Sequence, residues 1–156
     1  MFFPVLLFLH SLIRWFLLAG LVATVVRGYQ GWGYGRIFTT ADKRLVKVTT
    51  RLAEIQFVIG VALYAVSPLV RYFLHHFSEA VHQRDLRFFG MEHITMMVIS
   101  VGLISVGAAR VRKKEHSRDK FKAMAIWFSV ALLLIFVSIP WAFSPFTARP
   151  YWRSLW

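Results

Sequence analysis

A chain of 156 residues with 58% hydrophobic side chains and a mean hydropathy of +0.57 is more apolar than a soluble domain, for which about 45–50% is usual. The length suits one domain. The absence of cysteine excludes disulfides, thiolate metal sites, cysteine nucleophiles and covalently attached c-type haem. The net charge of +12 invites a nucleic-acid reading, but its distribution along the chain argues against one.

Four apolar segments are predicted at 5–26, 52–70, 89–109 and 123–143. Each is close to the ~20 residues that cross about 30 Å of hydrocarbon at about 1.5 Å per residue. Backbone groups cannot go unpaired in lipid, so such segments are expected to be helices. The first has no basic region before it and no small-residue cleavage site after it, and it carries Arg14. It therefore reads as a permanent helix rather than a signal peptide. The predicted fold is an all-α, four-helix transmembrane bundle forming one integral-membrane domain over 1–156.

The charges give the topology. Arg27, Arg36, Lys43, Arg44, Lys47 and Arg51 lie in the loop 27–51 or at its ends. Arg110, Arg112, Lys113, Lys114, Arg118, Lys120 and Lys122 lie around 110–122. In the connection between the second and third helices, Arg71, Arg84 and Arg87 are offset by Glu79 and Asp85. The N-terminus has no charged side chain before Arg14, and the tail has only Arg149 and Arg153. The positive-inside rule puts both basic loops in the cytoplasm and both termini on the outer, periplasmic side of a bacterial inner membrane. The excess charge is thus a topology signal, and no nucleic-acid partner is expected.

Along the chain, GYQGWGYG (28–35) reads as a helix stop and an interfacial turn anchored by Tyr29, Trp32 and Tyr34. It lacks the lysine and hydroxyl pair of a phosphate-binding loop. Ala19 with Ala23, Gly20 with Thr24, and Ser105 with Ala109 have the four-residue spacing that lets helices approach, and Gly60 and Gly102 offer further close contacts. RYFLHHFSEAVHQRDLRFF (71–89) is expected to form an amphipathic interfacial helix with Tyr72, Phe73 and Phe77 toward lipid. On such a helix His75, Glu79 and His82 share one face at i, i+4, i+7, a spacing that suits zinc or copper if further ligands arrive, or else a solvated polar face. The tail SPFTARPYWRSLW (144–156) is expected in the outer headgroup zone, with Trp141, Tyr151, Trp152 and Trp156 as anchors.

Ionisable residues inside a span are costly and are functional candidates. Here they are His10, Arg14, Glu54, Glu92 and His93. His10 is expected about 9 Å below the outer boundary of the first helix, and His93 about four residues inside the third. Two imidazoles at one level on two helices are what a pair of axial ligands to one haem iron requires. Met96 and Met97 supply an apolar wall, and Ser11 or Tyr64 is a candidate acceptor for an imidazole proton. Arg14, one turn deeper, has several candidate acceptors: a haem propionate, a quinone oxygen, a carboxylate or backbone carbonyls. Glu54, near the cytoplasmic end of its helix, is a stretched partner for it. The alternative for both histidines is satisfaction by water or a headgroup, and for Glu92 a place at the outer boundary.

Taken together, LH (9–10), IQFVIGVALYAVSP (55–68), RFFGMEHITMM (87–97) and IPW (139–141) resemble a set of small bacterial four-helix membrane proteins labelled cytochrome b-like. The resemblance runs from His10 to Trp141. It implies that His10 and the Glu92-His93 pair correspond to histidines carried by that family, with haem b as cofactor. Three positions depart from its pattern: Glu54 stands where a histidine is typical, Ile94 where a proline often follows the EH pair, and Ser138 where an arginine often precedes IPW. The first departure leaves His10 and His93 as the iron ligands, with Arg14 as a further cofactor contact.

The expected function is a small electron-transfer subunit of a bacterial membrane complex. Its partners would be membrane lipid and other integral-membrane subunits. No catalytic triad, carboxylate pair or nucleotide motif points to an enzyme. The alternative is a cofactor-free accessory subunit packed against a larger complex. A transporter using Arg14 and Glu54 is a weaker fit, since Pro68 and Pro140 lie near helix ends rather than breaking them.

Overall fold

The structure, a computed structural model, describes residues 2–141. The expected anchors Tyr151, Trp152 and Trp156, with Arg149 and Arg153, lie outside the described residues. The chain forms α1 (Phe2–Gly33), α2 (Thr40–Val66), three short helices α3 (Pro68–His75), α4 (Phe77–Ala80) and α5 (Arg84–Arg87), a π-helical turn (Phe88–Glu92), α6 (His93–Lys113) and α7 (Ser117–Ser138). Among the described residues there is no strand. Among the described residues four stretches are long and apolar enough to cross a membrane: Phe2–Gly33, Thr40–Val66, Arg84–Lys113 and Ser117–Ser138.

α1 lies between α2 and α7, and α6 packs on α7 and, less extensively, on α2, so the four long helices close into a bundle. Leu17, Leu21, Ile104, Phe121, Met124 and Phe128 form its apolar centre. Phe16, Val22, Val58, Leu133 and Phe136 remain exposed. Helices apolar on all sides are expected where the outer faces meet lipid rather than water.

The glycine-rich stretch is a correction to the sequence reading. α1 does not stop near residue 26 but continues through Gly28 and Gly31 to Gly33. Glycine in a helix interior costs about 1 kcal/mol relative to alanine, and close packing offsets that cost. A Cβ on Gly28 would stand 2.7 Å from the backbone nitrogen of Ala125, and one on Gly31 would overlap the Phe121 ring. The turn proper is 34–39, where Gly35 has φ +61°.

α2 also begins earlier than expected, because Thr39 and Asp42 form a capping box. The Thr39 amide and hydroxyl both donate to Asp42 Oδ2, at 2.9 and 2.8 Å. Asp42 Oδ1 is held by Arg27 of α1, whose terminal nitrogen is 2.8 Å away. Higher up, the Thr24 and Thr49 hydroxyls meet at 3.0 Å, over Gly20. Gly20 and Thr24 are thus a close-approach pair, as their spacing predicts. Ala19 and Ala23 instead face outward, and a Cβ on Gly102 would meet nothing within 4 Å.

The connection 71–89 is not one amphipathic helix. It breaks at His76 and again after Ala80. Phe73 does not face lipid; it is buried on Gly90 at the start of the third span. Tyr72 and Phe77 remain exposed.

Candidate functional site

His10 on α1 and His93 at the first position of α6 are brought together, with ring centroids 6.5 Å apart and planes at 75°. Each reaches this position for a local reason. The His10 carbonyl accepts a hydrogen bond from Gln56 Nε2 of α2 at 2.9 Å. That bond fixes the height of α1 against α2. Gly60, one turn further along α2, leaves room for the ring: a Cβ there would stand 3.2 Å from His10 Cε1.

His93 is aimed by the π-helical turn that precedes it. Its amide donates to the carbonyl of Phe88 rather than to that of Phe89, so the turn holds one more residue than an α-helical one. The turn is pinned from α2, where Tyr64 Oη donates to the Gly90 carbonyl at 2.7 Å. Its rim is closed by the ion pair of Arg87 Nε with Glu92 Oε1 at 2.6 Å. The rings of Phe88 and Phe89 lie 5.7 and 6.4 Å from the His93 ring.

The other side of His93 settles its tautomer. Nδ1 lies 3.0 Å from the carbonyl oxygen of Ser138, the last residue of α7. Carbonyls in the last turn of a helix lack intrahelical donors, and a carbonyl only accepts. Nδ1 therefore carries the proton, and Nε2 of the neutral ring keeps its lone pair, the form in which histidine binds metals. The acceptor is the Ser138 backbone, and not Ser11 or Tyr64; the Tyr64 hydroxyl is committed to Gly90.

Arg14 lies one turn deeper on α1. Its guanidinium carbon is 5.3 Å from the centre of the Trp15 ring, which meets Trp141 edge to face at 5.9 Å. Glu54 does not approach Arg14; it pairs with Arg51 at 2.6 Å. His75, Glu79 and His82 are not brought together. The shared face needed a continuous helix, and the chain breaks between them. Among the described residues no three His, Asp or Glu side chains form a metal-holding group.

The chemistry of the donor set follows. Zinc sites take three or four protein ligands, more than two imidazoles supply. A haem iron brings four nitrogens of its own and asks the protein for two axial ligands. The ring centroids of His10 and His93 stand 6.5 Å apart, near enough for both imidazoles to reach one metal ion. Among the described residues the buried Nδ1 of His10 and Oε1 of Gln56 have no hydrogen-bond partner. Buried polar atoms without partners call for an explanation beyond packing, a bound group among them. Two imidazoles would suit a metal that brings its remaining ligands with it, as a haem iron does.

Beside this site an apolar groove of about 990 Å³ runs between α1 and α7, lined by Ala19, Ala23, Leu132 and Leu133 and ending at Trp15 and Trp141. No family model matches this chain, and no curated protein or solved structure shows significant similarity to it.

Proposed function

We propose that this chain is a small b-type cytochrome of a bacterial inner membrane, with both termini on the outer side and one haem b held between His10 and His93. The observation that carries the reading is the pair itself: two imidazoles from different helices, 6.5 Å apart at their ring centroids, with His93 Nδ1 already committed to a carbonyl. The bound group would supply one-electron chemistry.

The residues of the chain would tune it. Ser138 orients His93 and raises the basicity of its Nε2. Phe88, Phe89 and the packed helices exclude water. Arg14 places a fixed positive charge nearby, which disfavours the ferric state and raises the reduction potential. The test is stoichiometry. Protein produced with ample haem should carry about one haem per chain, and His93→Ala should carry none. A haem-free wild-type protein under those conditions would remove the reading.

One observation favours a second reading, a cofactor-free accessory subunit of a larger membrane complex. Ala19 and Ala23 are exposed along the α1–α7 groove rather than used inside the bundle. Small residues in that position let a foreign transmembrane helix approach closely. Purification in mild detergent with a partner at fixed stoichiometry, lost on Ala23→Leu, would support it.

A further inference from the structure

α2 is sharply two-faced at the end nearest the 34–39 turn. Asp42, Val46, Thr49, Thr50 and Ala53 are buried against the bundle. On the opposite side Arg44, Lys47 and Arg51 recur at i, i+3, i+7, interleaved with Val48, Leu52 and Ile55. These six side chains line one groove of about 390 Å³. Val48 and Ile55 are 56% and 49% exposed, so the bundle leaves the apolar part of the groove uncovered.

We infer that this face of α2 binds an anionic phospholipid, the phosphodiester between Lys47, Arg51 and Arg44 and an acyl chain along Val48, Leu52 and Ile55. Charge complementarity commits the groove to an anion. Three cations line it, and the carboxylate beside them, Glu54, offsets only Arg51. Asp42 is turned away onto Arg27. Among the described residues Arg44 and Lys47 have no carboxylate partner.

Depth commits it to a lipid. The seven steps from Arg44 to Arg51 rise about 10 Å along the helix, and each headgroup layer is about 5–8 Å thick. With Arg51 at the hydrocarbon boundary, Lys47 falls about 6 Å out, within the layer, and Arg44 just beyond it, from where its long side chain reaches back to the phosphate. The apolar members continue into the spanning part of α2, where free phosphate would gain nothing. Other basic residues at this end are used differently: the Lys120 and Lys122 ammonium groups lie over the Phe38 and Trp32 rings, at 5.4 and 5.6 Å. Basic grooves on helices at this interface are suited to anionic headgroups, at roughly fivefold in affinity per cation.

The experiment is native mass spectrometry of the full chain released from nanodiscs of mixed phosphatidylglycerol and phosphatidylcholine. Wild type should retain phosphatidylglycerol preferentially. The exposed-site variant R44Q/K47Q/R51Q should retain it on the order of 30–100-fold more weakly, and Lys47→Gln alone about fivefold more weakly. K113Q/K114Q, which removes two charges of the same bilayer face outside the groove, should behave as wild type, and millimolar inorganic phosphate should not compete. Equal retention of phosphatidylcholine would overturn the inference. So would an unaffected triple variant, an equal loss in K113Q/K114Q, or displacement by phosphate. Helical content measured on each variant separates loss of lipid from loss of fold.

Discussion

The Arg27–Asp42 pair gives a prediction whose size follows from its asymmetry. Asp42 is 2% exposed and Arg27 31% exposed at the side chain. Arg27→Met leaves a carboxylate buried with only the Thr39 amide and hydroxyl for company. Removing one partner of a buried pair costs about 3–5 kcal/mol, most of it for the charge left behind. Asp42→Asn is milder. The amide oxygen still accepts from Thr39, and the released guanidinium can turn to water or a headgroup. That leaves about 1.5–3 kcal/mol for the lost charge-assisted bond. The cost of the first variant should therefore exceed that of the second by about 1–2 kcal/mol. The double variant should cost less than the sum, since neither partner remains to be stranded. Equilibrium unfolding in mixed micelles, on all four proteins, measures the cycle. Equal costs for the two single variants, or simple additivity, would refute the reasoning.

Other predictions follow from the same geometry. Gly28→Val drives a side chain toward the Ala125 backbone, which stands only 2.7 Å from a Cβ at that position; overpacking against backbone costs at least 1–3 kcal/mol, and a lowered melting temperature in detergent should show it. Tyr64→Phe removes the donor to the Gly90 carbonyl and should cost about 1–3 kcal/mol for the stranded acceptor. If haem is bound, the same change should broaden its spectrum by loosening the turn that aims His93, while Tyr72→Phe, on an exposed ring, should do neither. Arg14→Gln should lower the reduction potential found by redox titration; a rise would contradict the electrostatic role given to Arg14. If both imidazoles hold a haem, the 75° between their planes predicts a strongly anisotropic low-spin ferric signal in electron paramagnetic resonance, and a signal typical of parallel ligand planes would contradict that arrangement.

The four spans are legible in the sequence because about 20 apolar residues in a row admit little else. Their ends are less so, since tertiary contacts decide them. Gly28 and Gly31 look like a helix stop until Ala125 and Phe121 of α7 are known to press on them. The early start of α2 does have a signature, Thr39 followed three residues later by Asp42, but it lies inside a basic stretch whose charges read as a loop.

The meeting of His10 and His93 is legible by counting depth along two helices. Their surroundings are not. The Ser138 carbonyl that accepts from His93 is a backbone group with no signature, available only because α7 ends there. Gln56 acts through the His10 carbonyl, and Tyr64 through the Gly90 carbonyl of the π-helical turn; both acceptors are backbone groups that leave no mark in residue type. The His75, Glu79 and His82 pattern failed for the opposite reason: its spacing is correct for a helix that the chain does not make.

The central claim is best tested by a dithionite-reduced minus oxidised spectrum of protein purified in mild detergent from haem-replete cells, with His10→Ala and His93→Ala alongside. Haem held by this pair predicts a reduced α-band of b-type shape in the wild type, lost in each variant while the helical content stays. A flat wild-type spectrum, or a band that survives either substitution, would contradict it.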